Sequence, residues 1–157
     1  MNTLDEIIQL RDSLNKNLEQ VLAEVKQDSV VDDLDLDAEA LRITTLHGKW
    51  VAGYSSHKVA ASRANSTLKR LILERWKYYC GKQTDAYYAA NGFLHEKILK
   101  GDVEKYMDAD ILLIEMKECV NIQYQIVDTI EKMLKELNSR GFNIKNAIEW
   151  RKFQAGA

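Results

Sequence analysis

The sequence predicts a mainly α-helical, single-domain bundle with one long helix and a short C-terminal helix. Three observations carry that prediction. The 157 residues contain no proline, the strongest helix breaker. From Leu112 to Leu137 the positions Leu112, Met116, Cys119, Gln123, Ile126, Ile130, Met133 and Leu137 alternate in spacings of four and three. A second stripe, Leu113, Val120, Val127 and Leu134, runs beside it, and three such positions per heptad indicate bundle packing rather than a thin two-stranded seam. The length and the 46% apolar fraction fit one domain.

The elements follow in order. Residues 3–27 place Leu4, Ile7, Ile8, Leu14, Leu18, Val21, Leu22 and Val25 at helical spacing. "DDLDLDAEALR" alternates like a short strand, but its acids favour a loop or a helix N-terminus, with Asp35 or Asp37 as cap. "LRITTLHGKWVAG" reads as helix despite its β-branched residues, with Gly53 as a candidate interruption. A long helix is expected over 55–80, with Ala61, Ala64, Leu68, Leu71, Ile72 and Tyr79 on one side and Gly81 terminating it. "KQTDAYYAANG" reads as a polar loop, and "FLHEKILKGD" as a short helix ending at Gly101. The longest helix is expected over 102–139, with Gln123 as a polar residue at a seam position where it can set register. "NSRGF" should close it at Gly141. "NIKNAIEWRKFQAGA" is then a separate final helix, with Ile144, Ala147 and Ile148 on its apolar face and Trp150 and Phe153 at the edges.

Charge is segregated along the chain. The net charge is −2, but residues 1–46 hold eleven acids against four bases. Residues 47–82 hold eight bases against the single acid Glu74, a local +7. Fields are screened within about 10 Å, so this local charge, not the net charge, decides how the chain meets a polyanion. Arg63, Arg70 and Lys77 are seven apart and form a cationic stripe that drifts only about 20° per step. In "RLILERWKYYCGK" (70–82), Arg70, Arg75, Lys77 and Lys82 alternate with Trp76, Tyr78 and Tyr79. Cations can track phosphates while exposed rings stack on unpaired bases. A plainer reading remains open: solvated cations, with the tyrosines covering one end of the bundle.

The patterns of catalysis are missing. "HEKIL" lacks the second histidine of HExxH, "HGKW" lacks the rest of a phosphate loop, and there is no GxSxG. His47, His57 and His95 are scattered, and Asp108 and Glu115 read as a solvated face. Cys80 and Cys119 form no CxxC pair and read as reduced, packed thiols. The sequence therefore argues against an enzyme and implies no metal and no cofactor. No run approaches the roughly 18 apolar residues of a membrane span. The N-terminus has acids where a signal peptide needs cations, so an intracellular or host-cell location is expected.

Three stretches together resemble the UvsY recombination mediator proteins of tailed bacteriophages: "KWVAGYSSHK" (49–58), "RWKYYCGK" (75–82) and "SRGFNIKNAIEWRKFQAGA" (139–157). The resemblance covers about residues 28–157, with 1–27 as an N-terminal helical extension. It implies a non-enzymatic recombination mediator that binds single-stranded DNA. Such a protein promotes loading of a phage RecA-like recombinase in place of the phage single-strand binding protein, in the cytoplasm of the infected bacterium. It also implies a homo-oligomeric ring, hexamer or heptamer, held by a C-terminal assembly segment at 140–157. Arg75 matches the arginine of the family's basic motif, and Tyr78, Tyr79 and Gly81 match its YY-x-G, whereas Leu73 stands where the family often has lysine. The expected DNA-binding set is Lys58, Arg63, Arg70, Arg75, Trp76, Lys77, Tyr78, Tyr79 and Lys82. The expected oligomerisation set is Phe142, Ile144, Ile148, Trp150 and Phe153. The rival readings are a helical phage assembly or scaffold protein without a DNA role, and a DNA-cleaving enzyme.

Overall fold

The computed structural model describes residues 3–94 and 98–156. Among them are α1 (Leu4–Asp28), α2 (Leu36–Tyr79), α3 (Asp85–Asn91), α4 (Val103–Asp108) and α5 (Ile111–Gln154), and no strand. The expected helical class is what forms. The chain divides into two compact units. Unit 1 takes the chain up to Asn15 together with Ala61–Gln123, and unit 2 takes Lys16–Ala60 and the chain from Tyr124 onward.

Helix α1 opens with a capping box. Thr3 Oγ1 accepts the Glu6 N–H at 3.3 Å, and Glu6 Oε2 accepts the Thr3 N–H at 2.7 Å. Its buried positions are seven apart: Ile7 and Leu14 in unit 1, Val21 and then Asp28 in unit 2. In unit 1, Ile7 and Leu14 join a core containing Ala61, Leu71, Leu113, Met116 and Cys119. The Cys119 thiol is fully buried against the Ile7 carbonyl, and burial raises its pKa. It is the packed thiol expected from sequence, and Cys80 is likewise unpaired. Arg11 pairs across the same unit with Glu115, which is therefore not a freely solvated carboxylate.

In unit 2 the core contains Val21, Leu46, Trp50, Ile126, Ile130, Met133 and Leu137. Asp28 sits among these side chains as a hydrogen-bonding hub. Its Oδ2 accepts from Lys49 Nζ at 2.8 Å and from the buried Trp50 Nε1 at 3.1 Å, and Arg42 approaches Oδ1 at 3.6 Å. The bond to Asp28 is the largest of the causes that hold the Lys49 ammonium above its ordinary pKa. The Asp28 carbonyl accepts from Arg140 Nη1 at 2.9 Å, satisfying a helix-terminal carbonyl of α1.

Several expected boundaries are corrected. Helix α2 starts at Leu36, not near 55, with Asp35 as its cap: Asp35 Oδ1 accepts the Ala38 N–H at 3.1 Å. Gly53 does not interrupt it. A Cβ there would lie 3.9 Å from Ile130 Cδ1, so this glycine sits where α5 comes close. Burial of Leu46 and Trp50 outweighs the weak helix propensity of the β-branched residues. Gly81 ends α2 as expected, at φ 69°, in a Schellman motif: Lys82 N–H to Lys77 O at 2.8 Å and Gly81 N–H to Tyr78 O at 3.2 Å.

The expected loop at 82–92 contains α3, capped by Thr84, whose side chain accepts the Tyr87 N–H, and anchored by buried Tyr88. Of the helix expected over 93–102, residues 95–97 lie outside the described residues. Phe93, Leu94, Ile98 and Leu99 are not helical, and α4 follows instead. The long helix begins at Ile111 rather than 102, because Asp110 breaks the chain there and caps it. It also runs through Gly141 to Gln154, so the C-terminal segment is the end of α5 rather than a separate helix. Gly141 stays helical, with Arg140 and Ile144 buried beside it in unit 2. Their burial outweighs the roughly 1 kcal/mol by which a mid-helix glycine is disfavoured. Gln123 is buried at the seam as the spacing implies, and its Oε1 has no hydrogen-bond partner among the described residues.

Candidate nucleic-acid interface

The cationic segment falls mostly in unit 1, on the last five turns of α2 and the cap beyond. Arg63, Lys69, Arg70, Lys77 and Lys82 are exposed, and none forms an ion pair with a carboxylate among the described residues. Arg70 makes only a 3.3 Å bond to Thr67 Oγ1 on its own helix. The seven-residue spacing of Arg63, Arg70 and Lys77 thus yields an exposed stripe. Trp76 is 38% exposed, and Lys82 Nζ stands 4.4 Å from its ring centroid. Lys58 belongs to unit 2. It is exposed, and it donates to Tyr54 Oη at 2.9 Å with Nζ 5.1 Å from that ring's centroid.

Arg75 and Tyr78 are placed differently. They are 8% and 7% exposed, and Tyr79 is half-buried. Arg75 Nε donates to Asp110 Oδ2, and Tyr79 Oη donates to the same oxygen at 2.9 Å. The guanidinium also lies against two rings, 4.3 Å from the Tyr78 centroid and 5.3 Å from that of Tyr79. Burial opposes the Arg75 charge, but hydrogen bonds to Asp110, Tyr79 and Tyr87 outweigh it and hold its pKa above the ordinary value. Burial likewise leads the causes that raise Tyr79 and Tyr87. The other Asp110 oxygen accepts the Leu112 N–H at 2.9 Å and the Leu113 N–H at 3.4 Å, capping α5. One carboxylate therefore joins the end of α2 to the start of α5.

This lock supports a chain of aromatic rings. Tyr106 meets Tyr79 with centroids 5.8 Å apart, Tyr79 meets Tyr78 edge-on at 5.1 Å, and Tyr78 meets Tyr88 at 5.4 Å. Tyr88 stacks on Phe93 at 5.9 Å and 22°. Tyr78 Oη donates to the Gly92 carbonyl at 3.1 Å, and Tyr88 Oη donates to the Tyr78 carbonyl at 2.9 Å. Of the interior rings Tyr78 and Tyr88 are buried and Tyr79 half-buried, whereas the end rings are open, Phe93 63% exposed and Tyr106 40%. Reasoning from sequence missed Asp110, Phe93 and Tyr106. For Asp110 a signal was present, an acid immediately before the apolar run of the longest helix.

The expected oligomerisation residues lie in unit 2 and divide as well. Ile144 is buried within the unit and Ile148 is half-buried. Phe142, Trp150 and Phe153 are exposed at 74%, 60% and 71%, and the last two rings stack at 5.6 Å and 25°. No group of His, Cys, Asp or Glu among the described residues could hold a metal ion. No helix among them is long and apolar enough to cross a membrane.

Known proteins match this chain over most of its length. The recombination protein uvsY of Enterobacteria phage T4 is 27% identical over 139 residues, covering 88% of this chain and 98% of that protein. Two crystal structures of the bacteriophage T4 recombination mediator protein UvsY superpose with TM-scores of 0.76 and 0.75 at 26% and 25% identity. They cover 87% and 86% of this chain, and 96% and 98% of theirs. A family model described as "Recombination, repair and ssDNA binding protein UvsY" matches residues 24–157. The helical fold agrees with that match, and the chain belongs to the UvsY family of recombination mediators.

Proposed function

We propose that this chain binds single-stranded DNA without sequence preference and loads a phage RecA-like recombinase onto it in place of the single-strand binding protein. It does so as a homo-oligomeric ring, hexamer or heptamer, in the cytoplasm of the infected cell. It acts by binding, not by turnover. The observation that carries the reading is the exposed stripe of Arg63, Arg70 and Lys77, flanked by Lys69 and Lys82, in unit 1 of a UvsY-family chain. These five cations have no carboxylate to satisfy them among the described residues and face solvent, where phosphates can reach them. Lys58 is a further phosphate contact. Arg75, Tyr78 and Tyr79 serve the interface from behind it, by fixing the helix end that presents Trp76, Lys77 and Lys82.

Each phosphate neutralised on a single strand contributes about −0.7 to the log–log salt slope. Replacing Arg63, Arg70 and Lys77 by alanine is expected to flatten the slope by about 2 in a salt-titrated anisotropy measurement with labelled oligothymidine. An unchanged slope would place the contacts elsewhere.

Assembly rests in this reading on the exposed end of α5. Phe142, Trp150 and Phe153 offer apolar rings that the chain's own unit leaves uncovered. A ring multiplies a modest contact, because repeated patches act at high effective concentration. The double variant Trp150→Ala/Phe153→Ala is expected to stay helical and to sediment as smaller particles, with weaker DNA binding at an unaltered monomer patch. Full-mass particles would assign assembly to another surface.

A further inference from the structure

We infer that the cleft between Phe93 and Tyr106 is a seat for one unpaired base of the bound strand. The inference rests on the single-stranded-DNA reading above and adds a subsite to it. The cleft has a volume of about 530 Å³ and lies wholly in unit 1, lined by Tyr78, Asn91, Gly92, Phe93, Ile98 and Tyr106 among others. That volume is in the range of small-ligand pockets, roughly 300–1,000 Å³. Among the described residues no charged side chain lines it. The described lining offers the faces of aromatic rings, which suit a flat, π-faced group.

Charge complementarity identifies the occupant. Lys77 precedes Tyr78 in the chain, and Lys82 follows Tyr79 by three residues, so exposed cations flank the helix end whose Tyr78 lines the cleft. A strand whose phosphates lie on that helix end carries its bases within reach of aromatic walls. A duplex cannot use the seat, because its bases are already stacked and paired. The walls are pre-positioned: Phe93 stacks on buried Tyr88, and Tyr106 rests against Tyr79, which Asp110 holds. Rings fixed in this way lose little freedom when a base stacks on them.

The test uses the full chain and labelled oligothymidine. Stacking on one ring corresponds to a loss of about 5- to 150-fold in affinity when the ring is removed. Phe93→Leu and Tyr106→Leu are each expected to weaken binding within that range, with the salt slope unchanged, because no phosphate contact is touched. Phe93→Trp, which keeps a stacking face, is expected to restore affinity. Ultraviolet crosslinking of the wild-type complex is expected to attach thymine to the peptide containing Phe93 or Tyr106. Wild-type affinity and slope in both leucine variants would overturn the inference while the DNA reading stands, and would leave the cleft to an apolar side chain of another protein. Equal losses in Phe93→Leu and Phe93→Trp would also overturn it, since the effect would then be one of packing. Absence of any salt-dependent single-strand binding by the wild type would overturn both readings together.

Discussion

Alanine at Arg75 is expected to lower the unfolding free energy by about 3–5 kcal/mol, the usual consequence of leaving one member of a buried ion pair alone. Asp110 is the member left behind. Its side chain is 2% exposed, and it cannot recover water in place of the guanidinium. The loss reaches two helices at once, because the same carboxylate caps α5 and accepts from Tyr79. Asp110→Asn separates the contributions. Asparagine has one oxygen where Asp110 uses both, so it keeps the α5 cap only by turning its amide N–H groups toward Arg75 and Tyr79. It is expected to destabilise through the lost ion pair while the cap remains. Urea denaturation followed by circular dichroism checks both. The DNA consequence is equally specific. In the folded fraction of Arg75→Ala the salt slope should match that of the wild type, because the guanidinium faces Asp110 and two rings rather than solvent. A slope reduced by about 0.7 with stability intact would make Arg75 a phosphate contact instead.

The second large effect is expected at Asp28. Asp28→Ala removes the acceptor of the buried Trp50 indole N–H and the anchor of Lys49 and Arg42. Lys49 and Arg42 keep other partners, Glu24 at 2.9 Å and Glu39 at 3.2 Å, and both reach solvent. The indole has no such recourse, and an orphaned buried donor costs about 1–3 kcal/mol. With the weakened ion pairs, a total near 3 kcal/mol is expected in urea denaturation. Trp50→Phe in the Asp28→Ala background should recover part of it, because no donor is then left unpaired. A loss in Asp28→Ala below about 0.5 kcal/mol, the scale of an ordinary surface substitution, would show that water already serves the indole.

The helical class and the buried stripes of α1 and α5 were legible because burial writes a period into the chain. Ile7, Leu14 and Val21 step by seven, and the α5 stripe from Met116 to Leu137 is buried at every position the spacing selects. What sequence left out was set by contacts distant in the chain. Gly53 and Gly141 look like breakers in isolation, yet each sits where another side chain comes near, Ile130 Cδ1 and Ile43 Cδ1 respectively. Short helices such as α3 depend on one cap and one buried ring, a signal weaker than several turns of periodicity. At the candidate site the cationic face was readable, since Arg63, Arg70 and Lys77 share a face by spacing alone. The roles of Arg75 and Tyr78 were not. A basic residue beside tyrosines reads the same whether it meets a phosphate or a buried carboxylate, and the deciding partner, Asp110, lies 35 residues further on.

The central claim is that exposed cations of unit 1 hold single-stranded DNA. It is tested most directly by titrating the wild-type protein against single- and double-stranded oligonucleotides of one sequence across a range of salt. The account predicts tighter binding to the single strand at every salt concentration, with a log–log slope of about −0.7 for each phosphate engaged. Equal affinity for the two forms, or single-strand binding that does not weaken with salt, would contradict it.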